Sequence, residues 1–554
     1  MKPRYYAILL LLFFLMISCR LGARQAEPTP LPAEVVVSPT AAVDPTPTST
    51  AVAENQSEPP EANENDDQAE QPEPEQSVVS SNLPDPMLFE IAWTDRSPFT
   101  QGLIPDQQSV LTQLPGATVY HLDFEIQDNL TTLTGQEEVL YTNRENEPLS
   151  TIFFHLYPNL LGGRINISEV KLNGLPVEPT FQADDAIMGI PLAQVLQPEE
   201  KVVIAMAFTI NVPTTLERNY GIFALDKDIL ALAHFYPMVA VYDQNGWDVE
   251  IPAPQGDVVY ADTNFYLVRV TMPEALKLVT SGVTLSQESQ DVRQTTTIAA
   301  GPMRDFYLAA SPRYDMVTAT LGDTTVNSYA LADQLDSAQQ VLEIALNALE
   351  SFNNRYGIYP FTEFDLVPTS NLALGIEYPG IVVITLPLYD PDAKVGDVPS
   401  SAFLESTVAH EVGHQWFYSL VGNDQLAAPW LDESLTQYAT WRYYLDTGGQ
   451  EAADRFEEGL RSRWSAVKDE EIPIGLPVGD YKEVAYSAIV YGRGPLFVDA
   501  LAERMGQSKL DTFLKDYALA YRWQLVTEAD FKTMAESECS CDLSDLFATW
   551  VDPK

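Results

Sequence analysis

The chain has 554 residues, 45% of them hydrophobic, which is more than one hydrophobic core holds and predicts two or three globular units. Thirty-one basic residues against 79 acidic ones leave a formal charge of −48. A surface of that sign repels polyanions, which excludes nucleic acid and anionic membrane surfaces as partners and predicts an acidic, soluble, exported protein.

The first predicted element is a targeting signal over residues 1–19. "MKPRYYAILLLLFFLMISC" joins a basic start, Lys2 and Arg4, to an apolar run and to Ser18 just before Cys19. That run is short for a transmembrane helix. Ending at a cysteine, it resembles a bacterial lipoprotein signal, which implies lipidation at Cys19 and a membrane-anchored extracytoplasmic protein, otherwise a secreted one. Residues 20–95 follow as a predicted disordered tether. Segments such as "DPTPTST" and "EPPEANENDDQAEQPEPEQ" bury too little apolar surface to offset the entropy of ordering, and their charge extends them.

From residue 96 to 312 the pattern is of short alternating runs: "TVYHLDFEIQ", "GQEEVLYTN", "TIFFHLYPN", "KVVIAMAFTI", "NFYLVRVTM" and "RDFYLAA". Helical periodicity is nearly absent, which predicts an all-β domain of sandwich or saddle type. Residues 313–554 read as α+β, mainly helical toward the end. Strands "MVTATLG", "TVNSYAL", "EFDLVPT" and "GIVVITL" precede or interleave with predicted helices from Asp333 to Tyr356, Ala402 to Leu420, Asp432 to Asp446 and Pro495 to Met505. Cys539 and Cys541, in "ECSCDL", are either incidental or a local oxidised pair.

The chemistry concentrates in "VAHEVGHQWF", Val408 to Phe417. On a helix, residues four apart stand nearly one above the other, so His410 and His414 can grip one ion. Glu411, rotated by about 100° from His410, is placed to address a water on that ion. A catalytic zinc needs a third protein ligand and an open fourth position. His121, His155 and His234 all fall in the β domain, so a carboxylate downstream is the economical choice. Glu433 in "APWLDESLTQY" supplies it, with eighteen residues between it and His414, once the turn "VGNDQ" brings the next helix back. Asp432 and Glu405 compete for this place and lose on spacing and facing. One zinc ion per chain is expected.

"HEVGH", eighteen residues and then "WLDES" resemble the gluzincin metallopeptidases of the aminopeptidase N family, which includes leukotriene hydrolases. The resemblance implies a short, two-domain member whose β domain precedes a thermolysin-like catalytic domain. It assigns His410, His414 and Glu433 to zinc and Glu411 to general-base catalysis. "LGIEYPG" stands where the family carries Gly-x-Met-Glu-Asn, which implies substrate-binding roles for Gly375 and Glu377, with Glu377 on the free amine. "YSAIVYGRGPLFVDAL" stands where it carries Tyr-Glu-Lys-Gly, which implies Tyr491 as the oxyanion-stabilising residue, with Tyr486 as a rival. Two positions depart from the pattern. The segment "ALAHFYPM" offers neither the glutamine nor the glutamate used as a second amine clamp, and Thr440 replaces an acidic residue that supports a ligand histidine. Arg493 either orients substrate or sits beside a helix end, and His234 reads as a structural side chain. The implied activity is zinc-dependent aminopeptidase action on peptides. The alternatives are an endopeptidase or oligopeptidase using the same site, or a non-catalytic surface binding protein on this scaffold.

Overall fold

The computed structural model describes residues 88–482 and 484–552. The predicted signal and most of the predicted tether lie outside the described residues. The tether's expected end at residue 95 needs correction. Leu88 is buried and Trp93 stacks on His121 with ring centres 4.2 Å apart, so residues 88–95 pack onto the β domain. A few apolar side chains decide this, and an average of composition passes over them. Among the described residues no helix is long and apolar enough to cross a membrane.

The N-terminal domain is built of strands because its apolar residues alternate. In Lys201–Asn211 the buried positions are Val202, Ile204, Met206, Phe208 and Ile210, so one face of the strand meets the core. This strand sits inside an eight-stranded sheet, between Thr132–Thr142 and Arg164–Leu172. Neighbours in that sheet are antiparallel except for Val119–Ile126 and Asn264–Pro273, which run parallel and join distant parts of the chain. Two four-stranded sheets and a two-stranded ribbon, Tyr242–Asp243 with Gly246–Trp247, complete the domain. Residues 248–263 cross its surface without regular structure.

A five-stranded sheet opens the second domain, ordered Tyr314–Leu321, Thr324–Leu331, Glu363–Thr369, Ile381–Thr385, Gly375–Tyr378. Its last strand is an edge, antiparallel to its one neighbour. The helices follow: α1 (Leu335–Tyr356), α2 (Ser401–Gly413), α3 (Glu433–Trp464), α4 (Ala485–Ala488), α5 (Gly494–Met505), α6 (Gln507–Ala520), α7 (Glu528–Cys539) and α8 (Ser544–Trp550). A multi-sheet β domain followed by a mainly helical domain is the architecture expected from the sequence.

Three details differ from expectation. Helix α2 stops at Gly413, not Leu420; the apolar run "HQWFYSL" is buried as a series of turns, and burial alone does not distinguish a turn from a helix. "VGNDQ" is only partly a turn, since Val421–Asn423 pairs in parallel with Gln524–Val526. Helix α3 runs on to Trp464 but is broken at Gly449, whose φ of 70° no helix tolerates, so its second half is a separate helical segment. Cys539 and Cys541 form a disulfide, the local oxidised pair.

One residue fixes the two domains together. Arg304, at the end of a β-domain strand, is 1% exposed and donates to the carbonyls of Ala261, Tyr418, Leu420 and Gln524. A buried guanidinium is tolerable only when its donors are met, and three of these four acceptors belong to the helical domain. Two of them, Tyr418 and Leu420, lie just beyond His414.

Candidate active site

Helix α2 carries His410 and Glu411, and its C-cap residue is His414. Glu433 is the first residue of α3, where Asp432 accepts from its backbone N–H and caps the helix. These elements bring three lone-pair donors together. His410 Nε2 lies 3.1 Å from Glu433 Oε2 and 3.1 Å from His414 Nε2, and His414 Nε2 lies 3.4 Å from Glu433 Oε2. Tetrahedral coordination at about 2.0–2.1 Å separates ligand atoms by about 3.3–3.4 Å, so this triangle fits one face of a zinc site. The ring of His414 is oriented from behind. Its Nδ1 lies 3.0 Å from the Phe417 carbonyl and 3.3 Å from Thr436 Oγ1, so Nδ1 carries the proton and Nε2 turns its lone pair to the site. Thr440 gives no such help to either histidine; its hydroxyl is spent on the Thr436 carbonyl. The competing carboxylates point elsewhere: Asp432 to its cap and to Gln425, Glu405 to the Tyr443 hydroxyl.

The electrostatics suit a bound cation. Burial raises the Glu433 carboxyl, but the His410 and His414 imidazoles close against it outweigh this and hold the group well below the usual range. Burial pushes Glu411 and Glu377 well above that range, and neighbouring carboxylates add to the shift. Asp432 is pushed up to about 7 by burial and by Glu433. So many buried carboxylates facing one another leave the pocket short of positive charge.

Glu411 lies directly beneath Gly375 on the edge strand. A Cβ built on Gly375 would stand 2.4 Å from Glu411 Oε1, so only glycine lets this carboxylate reach the strand. Gly375, read as a substrate-binding position, therefore also makes room for Glu411. Tyr491 sits in a single π-helical turn, Ile489–Arg493, and its hydroxyl donates to Glu433 Oε1. Ser434 Oγ donates to the Val490 carbonyl and ties this turn to the start of α3. Tyr486 is close, with ring centres 5.8 Å apart, but its hydroxyl has no partner among the described residues. Arg493 faces away, donating to the carbonyls of Ile472 and Thr549 between Trp464 and Trp550.

Three residues that no motif singles out meet around Glu377. Gln425 Nε2 donates to Glu377 Oε1 at 3.1 Å and to Asp432 Oδ2 at 2.7 Å. Asp257, on the irregular β-domain segment, brings a carboxylate oxygen within 4.8 Å of those of Glu377 and Asp432. Tyr220 accepts from the Gly256 N–H and holds that segment in place. They border a recess of about 340 Å³ whose walls include Ile222, His234, Ile376 and Tyr378. Asp257 in particular leaves no signal in the sequence, because its place depends on how a long β-domain loop packs against the helical domain.

Residues 340–550 match the Peptidase family M1 domain. Endoplasmic reticulum aminopeptidase 1 of Rattus norvegicus is 22% identical over 450 residues, covering 77% of this chain and 46% of that protein. Aminopeptidase B of the same organism is 30% identical over 189 residues, covering 32% and 27%. Aminopeptidase M1-B of Oryza sativa is 25% identical over 278 residues, covering 45% and 31%. The chain thus spans less than half the length of each of these relatives. An M1 zinc metallopeptidase of Deinococcus radiodurans superposes with a TM-score of 0.59 at 18% identity, covering 79% of this chain and 94% of that one. At that identity the likeness speaks for the fold of the β domain and helical domain together, and for nothing finer.

Proposed function

We propose that this M1 protein is a zinc-dependent aminopeptidase, with His410, His414 and Glu433 as metal ligands. The observation that carries the reading is the pair of carboxylates, Glu377 and Asp257, beside the metal triad. Glu377, Glu411 and His414 bring ligand atoms within 4.8 Å of one another. An α-ammonium held by Glu377 and Asp257 is one Cα away from the first carbonyl of its peptide, so that carbonyl falls at the metal triad. Cleavage then removes one residue.

Zinc in this triad supplies Lewis-acid polarisation of the scissile carbonyl and of a nearby water. Glu411, packed under Gly375, takes the proton of the attacking water and delivers it to the leaving nitrogen. Tyr491, whose hydroxyl already reaches Glu433, donates to the oxygen that gains negative charge. Glu377 and Asp257 bind the amine, and Gln425 orients Glu377. Asp257 takes the part of the second clamp that "ALAHFYPM" lacks. A closed amine side favours an exopeptidase over the endopeptidase alternative. One solved structure of the Deinococcus radiodurans protein, a point mutant, holds a Tyr-Ser-Ala substrate, which supports peptides as the substrate class.

The test is a paired assay on the purified protein. A peptide with a free amine is expected to be cleaved about a hundredfold faster in kcat/KM than its N-acetylated form, because acetylation leaves buried carboxylates unpaired. Equal cleavage of the two would reject aminopeptidase action in favour of the endopeptidase alternative.

We also propose that the protein is exported and anchored through a lipid on Cys19, as the sequence from Lys2 to Cys19 suggests. Expressed in a bacterium, the wild type is expected in the membrane fraction with incorporated fatty acid, and Cys19→Ala in neither. Fatty-acid label retained by Cys19→Ala would refute the assignment.

A further inference from the structure

Among the described residues, Arg463 is a cation without a carboxylate partner in a strongly acidic protein. It lies in the last turn of α3, after the break at Gly449, and the returning helical segment brings its Cβ against Gly492, one residue from Tyr491. Its guanidinium carbon stands 5.7 Å from the centre of the Tyr491 ring. The arginines before it on the same segment are paired, Arg455 with Glu451 at 2.8 Å and Arg461 with Glu457 at 2.6 Å. Among the described residues no carboxylate lies within ion-pair distance of Arg463. The charged or titratable groups among the described residues that act on it are Tyr491 and Glu433, and it acts in turn on His410. Neither Glu377 nor Asp257 is among them.

Two kinds of charge therefore adjoin the metal triad: the carboxylates of Glu377 and Asp257, which suit an ammonium, and the Arg463 guanidinium beside Tyr491. A short peptide carries the complementary pattern, with its ammonium at one end and its carboxylate at the other. The Tyr491 ring centre is 5.8 Å from that of His410 and 5.7 Å from the Arg463 guanidinium carbon, so both residues adjoin the same ring. One or two residues of extended chain past the scissile bond, at about 3.3–3.6 Å each, cover separations of that scale.

Resting on the aminopeptidase reading above, we propose that Arg463 receives the free C-terminal carboxylate of the substrate, which makes unblocked di- and tripeptides the preferred class. An arginine suits this task because its planar fork matches a carboxylate with two parallel hydrogen bonds.

The test compares Leu-Ala and Leu-Ala-Ala with their C-terminal amides. For the wild type, kcat/KM is expected to favour the free acids by about 10- to 100-fold, the usual worth of a charge-assisted bidentate contact. In Arg463→Met, which keeps the apolar stem beside Tyr491, that preference is expected to collapse toward one through KM, and Arg463→Lys is expected to restore part of it. Calorimetry in a Glu411→Gln background gives a second readout, in which the free acid binds more tightly than the amide only while Arg463 is present. A wild type that treats acid and amide alike overturns the proposal, as does a loss in Arg463→Met that falls equally on both through kcat. Continued cleavage of the amides in either case leaves the aminopeptidase reading standing, so the two failures are distinguishable.

Discussion

Glu411→Gln is expected to retain zinc and to lose hydrolysis by about 10³-fold or more. Glutamine has the shape of glutamate and fits the same space beneath Gly375, so the backbone of α2 and the ligand histidines have no reason to move. What disappears is the proton acceptor. Its amide cannot take a proton from water, and a positioned base is typically worth 10²–10⁴ in rate, about 3–5 kcal/mol of barrier. The substitution also removes one of the buried, mutually repelling carboxylates of the pocket, so the folded protein is expected to melt no lower than the wild type. Zinc content by elemental analysis, a thermal melt and kcat/KM on an aminoacyl arylamide check the three parts. Full activity with zinc bound would reject Glu411 as the base.

Tyr491→Phe is expected to lower kcat by about 10²- to 10³-fold with a small change in KM. A donor aimed at the developing oxyanion works in the transition state and contributes little to holding the ground state, and removing one such donor costs about 3–4 kcal/mol. The ring itself stays, so its packing against His410 and Arg463 is preserved and the loss reports on the hydroxyl. Tyr486→Phe is the control, because that hydroxyl has no partner among the described residues and does not reach Glu433. Its kcat is expected to stay within a few-fold of wild type. A larger loss in Tyr486→Phe than in Tyr491→Phe would exchange the two assignments.

The features that are readable in the sequence share a physical character. His410 and His414 are brought together by helix geometry within a single turn, which any two residues four apart on a helix inherit. The β domain shows itself through alternation, as in Val202 to Ile210, because a strand with one buried face must repeat every second residue. Where an apolar run is buried on all sides, as in "HQWFYSL", no period survives, and for that reason α2 ends well short of the expected Leu420.

The sequence by itself therefore determined the local parts: two histidines and a glutamate within one helical turn, a downstream carboxylate at the start of a helix, and the two structural classes in their order. Only the tertiary structure decided what surrounds them. Asp257 reaches Glu377 because an irregular β-domain segment packs against the helical domain, and the Arg304 guanidinium helps hold those domains in register. Arg463 reaches Tyr491 because the chain reverses at Gly449, a residue that reads in sequence as the end of a helix. Short-range geometry follows from residue spacing, whereas these contacts depend on the path of loops and on which buried charges find partners, and no spacing rule encodes either.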